Sequence, residues 1–263
     1  MKGYGLLIKK LQNITNKLYA SGLIIGLILI WQVVCSLELV PGYMLPSPIQ
    51  VMQAFINEFN VLMGHLMISL SEALLGLGVG ILVAFILAVG MDHYRGLHKS
   101  LYPLLIISQT VPVIAIAPLL VLWMGYGMAP KVMVIFLVCF FPITISLLDG
   151  FREADRDTIR LMKSMGANAK QIFWHIKLPC ALPGFLAGLK VSVSYAVIGA
   201  VVAEWLGGTA GLGVYMTRVR KSYAFDKMFA VIFLVSLISL VLMKLVSLLD
   251  RKIMPYKRIQ NKK

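Results

Sequence analysis

Apolar positions in this chain do not alternate with polar ones; they collect in six long runs, residues 20–40, 69–91, 101–124, 131–148, 183–206 and 228–249. A helix needs about 20 mostly apolar residues to cross a bilayer, so the pattern predicts an all-α polytopic bundle of about six transmembrane helices. The third run carries Pro103, Pro112 and Pro118 and is expected to be kinked or broken. Backbone groups freed in that way need neighbouring helices or a water-lined cavity. Between the first two runs, Ser47-Pro48 reads as an N-cap followed by proline at the first helical position. Met52, Phe55, Ile56 and Phe59 then recur at helical spacing, predicting a short amphipathic helix on the outer interface. The first run is too long, and lacks the small-residue site, to be a cleavable signal.

Composition sharpens this picture. The 263 residues are 59 % hydrophobic and 14 % charged, with a mean hydropathy of +0.86, which excludes a soluble enzyme or a disordered tail. The net charge of +14 does not indicate nucleic acid, because the cations fall between the apolar runs. Of the 25 Lys and Arg, 18 lie on the side that carries both termini, 5 on the other, and Lys190 and Lys244 within runs. The excess of basic residues on cytoplasmic loops predicts that both termini lie in the cytoplasm. The expected layout is a cytoplasmic segment 1–19, one transmembrane domain 20–249 containing the loop 149–182, and a basic cytoplasmic tail 250–263. Cys35, Cys139 and Cys180 have neither disulfide nor metal-ligand spacing and read as packing residues; no metal site is expected.

Two runs carry small residues at every fourth position: Gly76, Gly80, Ala84 and Ala88, bracketed by Glu72 and Asp92, and Gly184, Gly188, Ser192, Ala196 and Ala200, ending at Glu204. Such stripes let helix backbones approach in lipid, either within one subunit or against a second copy or a moving gap. Lys190 either snorkels to the inner edge or meets substrate or another helix. Glu204, beside Trp205, is either an interface residue or part of an outer gate. Glu204, Lys190 and Tyr195 are the candidate pathway or gate residues.

The loop 149–182 is long and patterned. Ile159, Met162 and Met165 share one helical face, Gly166 suits a left-handed stop, and Asn168 with Gln171 forms a capping-box pattern. A second helix with Ile172, Phe173 and Ile176 on one side is expected to end at Leu178-Pro179. The resulting helix–turn–helix would either rest on lipid headgroups or fit a cleft on a partner protein.

Gly166, nine intervening residues, then Ile176, Lys177, Leu178 and Pro179 resemble the core of the loop that marks permease subunits of binding-protein-dependent ABC importers. Leu45-Pro46-Ser47-Pro48, Ala181-Leu182-Pro183, Ala203-Glu204-Trp205-Leu206-Gly207-Gly208 and Gly211-Leu212-Gly213 extend the resemblance over most of the chain. It is greatest to the branch serving nitrate, sulfonates, taurine and thiamine-precursor pyrimidines. The family's usual Glu-Ala-Ala is replaced by Arg160-Leu161-Met162, a version followed by Ser-Met-Gly-Ala that resembles the pyrimidine-precursor permeases. The resemblance implies a pathway built by two copies of this chain in the lipid bilayer, a separate ABC ATPase subunit beneath, and an extracytoplasmic solute-binding protein. The ATPase-coupling residues would be Arg160, Leu161, Met162, Gly166, Ala167, Ile176, Leu178 and Pro179. The cargo leans to a thiamine-precursor pyrimidine, with sulfonate, taurine, nitrate or riboflavin as alternatives. No cofactor is expected in this chain, since ATP would be bound by the partner; the sequence contains no Gly-Lys dipeptide and hence no phosphate-cradling loop.

Two readings from other classes fit these residues less well. A membrane-embedded enzyme needs clustered reactive groups, yet His65, His93, His98 and His175 lie at or outside run ends without paired spacing. A secondary transporter working alone usually shows internal repeats, and none is visible.

Overall fold

The computed structural model describes residues 2–42 and 44–254, with side chains from residue 18 onward except 20 and 43. Residues 255–263 of the expected basic tail lie outside the described residues. Everything regular among the described residues is helical: α1 (Lys2–Ser36), α2 (Pro48–Asn57), α3 (Phe59–His93), α4 (Arg95–Gln109), α5 (Val113–Met124), α6 (Met128–Arg152), α7 (Arg156–Ser164), α8 (Ala169–Ile172), α9 (Leu178–Gly207), α10 (Leu212–Lys221) and α11 (Phe225–Ile253). Four stretches are long and apolar enough to cross a membrane: α3, α6, the continuous helical body Ala169–Gly207, and α11. The bent pair α4–α5 makes a fifth, and Ser21–Ser36 is a shorter apolar helix. Large apolar side chains stand bare on these helices, among them Leu82, Leu122, Trp123 and Leu240. Each would forfeit about 1.5–3 kcal/mol if it faced water, so these faces belong to lipid or to another subunit.

The chain divides into two compact units. The first comprises Met1–Asn60 with Arg218–Ile232. In it Ser47 caps α2 in a full capping box with Gln50, as the sequence predicts. The stripe expected on the outer interface is distinct from the face of α2 that packs on the protein, to which only its Phe55 contributes. Val51 and Ala54 are buried with Ala230, flanked by Trp31 and Phe229, whereas Met52 and Ile56 remain exposed. The small Ala54 allows close approach to a neighbouring helix, and the bulkier stripe is left for an apolar medium. Lys227 pairs with Glu58 in the same unit.

The second unit comprises Val61–Thr217 with Phe233–Lys263. Its centre is the pairing of α6 with α9, and the small-residue stripe of α9 explains it. A Cβ on Gly184 would stand 2.6 Å from the Ser146 carbonyl oxygen, and one on Gly188 would stand 2.9 Å from that of Pro142. The stripe thus serves close packing inside the subunit. Across this contact Cys139 and Ser192 exchange bonds, Ser192 Oγ donating to the Cys139 carbonyl at 3.0 Å and Cys139 Sγ to the Ser192 carbonyl at 3.3 Å. The third run is not one helix. It breaks at Thr110–Pro112 and turns by 101°. Pro112 has no N–H for the Ser108 carbonyl, and its ring would collide with that group. The Ser108 carbonyl instead accepts the Val111 N–H at 3.3 Å. Pro103 and Pro118 stay within helices.

Candidate functional site

The loop between α6 and α9 folds as a hairpin whose turn has a physical cause at every residue. Asp155 caps α7, accepting the backbone N–H groups of Asp157 (3.2 Å) and Thr158 (3.0 Å) and the Thr158 hydroxyl (2.6 Å). Those bonds hold its carboxyl below the usual carboxylate range. At the other end Gly166 takes φ +83°. The Gly166 N–H bonds to the Lys163 carbonyl and the Ala167 N–H to the Met162 carbonyl, both at 3.0 Å. This is the paired-bond glycine stop of an α-helix. Asn168 and Gln171 then cap each other's backbone at 2.8 Å and start α8.

The second helix of the hairpin does not end at Leu178-Pro179, contrary to expectation. A π-helical turn, Phe173–Lys177, carries it directly into α9. Pro179 lacks the N–H an α-helix would give to the His175 carbonyl, and the wider turn, in which Leu178 N–H reaches the Phe173 carbonyl, passes the proline without a break. The second helix of the hairpin is therefore continuous with α9.

The anticipated apolar face is split. Ile159 and Met162 are half-buried, whereas Met165 and Leu161 are 76 % and 62 % exposed. Leu161 and Met165, four residues apart, form one bare apolar edge beside Gly166. Arg160 is exposed and pairs with Asp157 at 3.1 Å. Ala167, Ile176 and Leu178 are half-buried and Pro179 is exposed. At its root the hairpin meets α3 and α6, and the end of α6 in turn meets α4. Lys177 Nζ reaches both carboxylate oxygens of Asp92 on α3 at 2.8 Å. Phe151, at the end of α6, lies 5.7 Å from Phe173. The Arg152 guanidinium donates to His98 Nε2 on α4 and sits 5.0 Å over the Tyr102 ring.

The three pathway candidates do not converge. Lys190 Nζ pairs with Asp250 of α11 at 2.7 Å. Glu204 is buried at the far end of α9, accepting the Ser69 hydroxyl and the Gly213 N–H, each at 2.5 Å. Ser69 Oγ in turn accepts the Leu212 N–H at 2.8 Å, and the Gly211 N–H donates to His65 Nδ1 at 3.0 Å. Glu204 thus anchors the start of α10 against α3. Tyr195 lines a cavity. That cavity, of about 300 Å³, opens at the α4–α5 break, with Ser108, Gln109, Val138 and Phe141 among its other walls.

One feature escaped the sequence reading. Lys131, one of the five cations assigned to the outer side, is buried and pairs with buried Glu72 at 2.6 Å. Glu72 sits one turn before Gly76 on the small-residue face of α3, which is the signal that it points into the protein. Its second oxygen has no hydrogen-bond partner among the described residues. No group of three or more metal-ligating side chains is assembled among the described residues.

The hairpin between the two spans thus bears a bare apolar edge and joins α3 and α6 at its root. The family model for the binding-protein-dependent transport system inner membrane component matches residues 76–255. The chain belongs to that family. It is a multi-pass membrane protein and the permease subunit of an ABC importer. It is 41 % identical over 221 residues to a probable ABC transporter permease protein of Haemophilus influenzae, covering 84 % of this chain and 90 % of that one. It is 37 % identical over 235 residues to the formylaminopyrimidine transport permease protein ThiX of Halalkalibacterium halodurans, covering 89 % and 94 % respectively. Among solved structures, the inward-facing MetNI methionine ABC transporter matches 76 % of this chain and 97 % of its own with a TM-score of 0.64 at 18 % identity, which shows a shared fold.

Proposed function

We propose that two copies of this permease form a pathway for a thiamine-precursor pyrimidine, delivered by an extracytoplasmic binding protein and driven by a separate ATPase. The observation that carries the driving step is the hairpin at Gly166: its Leu161–Met165 edge is exposed among the described residues, while its root is bonded to α3 and packed on the end of α6, which is itself tied to α4. With both termini cytoplasmic, as the distribution of cations argues, the hairpin faces the ATPase. The edge seats in a groove of that subunit. Closure of the two ATPases then moves the hairpin; the Asp92–Lys177 tie transmits the displacement to α3, and the Phe151–Phe173 and Arg152–His98 contacts pass it through the end of α6 to α4. Hydrolysis belongs to the partner, which binds the ATP; this chain uses no cofactor of its own.

The cavity at the α4–α5 break is the proposed cargo half-site. Its walls are apolar except for Ser108, Gln109 and Tyr195, a combination that suits a small flat heterocycle with a few hydrogen-bonding edges. The pyrimidine reading is supported by the extensive likeness to ThiX. Uptake of labelled aminopyrimidine precursor by cells that express the complete system is the direct test. Accumulation should require this chain, the ATPase and the binding protein together. Accumulation of a sulfonate or riboflavin in its place would redirect the cargo assignment, and ATP-independent flux in liposomes containing only this chain would overturn the coupled mechanism.

A further inference from the structure

The hairpin has a second face. Arg156, Ile159, Arg160 and Lys163 lie on the side of α7 opposite the Leu161–Met165 edge, and they line a cavity of about 950 Å³ that also takes Arg95, Lys170 and Lys177. Against these six cations the wall has one acid, Asp92, and both its oxygens are held by Lys177. Arg160 is engaged by Asp157. Arg95, Arg156, Lys163 and Lys170 have neither an ion pair nor a side-chain hydrogen bond among the described residues, yet all four border one concavity. All four are exposed, but they are not merely spread along a loop: they converge from α4, α7 and α8 around a pocket that Val89, Ile159 and Phe173 also line. Guanidinium forks and ammonium groups in that arrangement match the several oxygens of a phosphate.

We propose that this cavity binds a phosphate-bearing anion, which holds the basic face of the hairpin against the end of α3 while the opposite edge docks on the ATPase. A phosphate ester reaches such a site either as the headgroup of an anionic lipid or as a free phosphate compound. The two sources are separable with the full-length permease in nanodiscs, free of ATPase. In phosphatidylcholine discs, inorganic pyrophosphate is titrated by calorimetry. In discs that also contain phosphatidylglycerol, retained lipid is counted by native mass spectrometry. The comparison is the variant Arg156→Gln/Lys163→Gln/Lys170→Gln, with membrane insertion checked by abundance. Saturable pyrophosphate binding that weakens roughly tenfold or more in the variant assigns the site to soluble phosphates. Phosphatidylglycerol retained by the parent and lost from the variant assigns it to lipid. Should neither arm distinguish parent from variant, the proposal is overturned. If in addition the variant fails to co-purify with the ATPase, the cations belong to an acidic protein surface instead.

Discussion

Gly166 at φ +83° is the residue on which the hairpin turns. A side chain there meets no neighbour, so replacement acts through backbone conformation alone. Gly166→Val is expected to cost about 1–2 kcal/mol in local strain, enough to displace the turn without unfolding the membrane domain. Labelled-cargo uptake should fall to background while membrane abundance stays near that of the parent; retained uptake would mean that the turn is not the coupling element. Asp155, at the start of the same hairpin, titrates below its ordinary value because three donors favour its charged form. A carboxyl depressed in the folded state contributes stability above its unfolded value and loses it as pH falls through the folded value. The cap is therefore complete at neutral pH, and amide exchange in α7 should accelerate only in strong acid, an acceleration that Asp155→Asn would flatten. Lys131 presents the opposite situation, a buried charge with one buried partner. Lys131→Met leaves Glu72 uncompensated, at a cost of about 3–5 kcal/mol. The detergent-solubilised variant should melt earlier, and Lys131→Met/Glu72→Leu should regain most of the loss.

Among the helices, the broken pair α4–α5 is the one whose shape follows from a single imino acid. Pro112→Ala restores an N–H for the Ser108 carbonyl and lets the two segments approach a continuous helix. If the cavity lined by Gln109 and Tyr195 serves cargo, this change should lower transport well below that of Pro103→Ala, at equal abundance; equal effects would remove the break from the pathway. In the α8–α9 body a proline has the opposite consequence, since the π turn absorbs Pro179 and keeps the helix continuous between hairpin and span.

At the scale of the molecule, coupling requires that a push on the hairpin reach the spans before it dissipates. The Lys177–Asp92 contact is partly exposed, so its value to stability is small, about 0–1 kcal/mol; its value to transmission is positional. Lys177→Glu and Asp92→Lys should each leave ATP hydrolysis running while cargo accumulation falls, and the double exchange should recover part of the accumulation. Failure of the double variant to improve on either single one would assign transmission to the Phe151–Phe173 and Arg152–His98 contacts.

Sequence alone determined the medium, the number and rough extent of the apolar helices, the hairpin with its Gly166 stop and Asn168–Gln171 cap, and the family, because these depend on local periodicity and on chemistry within a few residues. It also marked the run with Pro103, Pro112 and Pro118 as kinked or broken, though neither which proline breaks it nor the 101° turn made there. Only the tertiary structure decided which partners meet: Lys131 with Glu72, Lys190 with Asp250, Glu204 with Ser69 and Gly213, and the α9 stripe with α6. Such pairings join positions separated by many residues, and helix rotation about its own axis, which hydropathy leaves free along an all-apolar span, selects among them. The π turn at Phe173–Lys177 lay beyond local rules for the same reason: the pattern Leu178-Pro179 predicts a stop, and packing of the hairpin root against α3 and α6 holds the helix together across it.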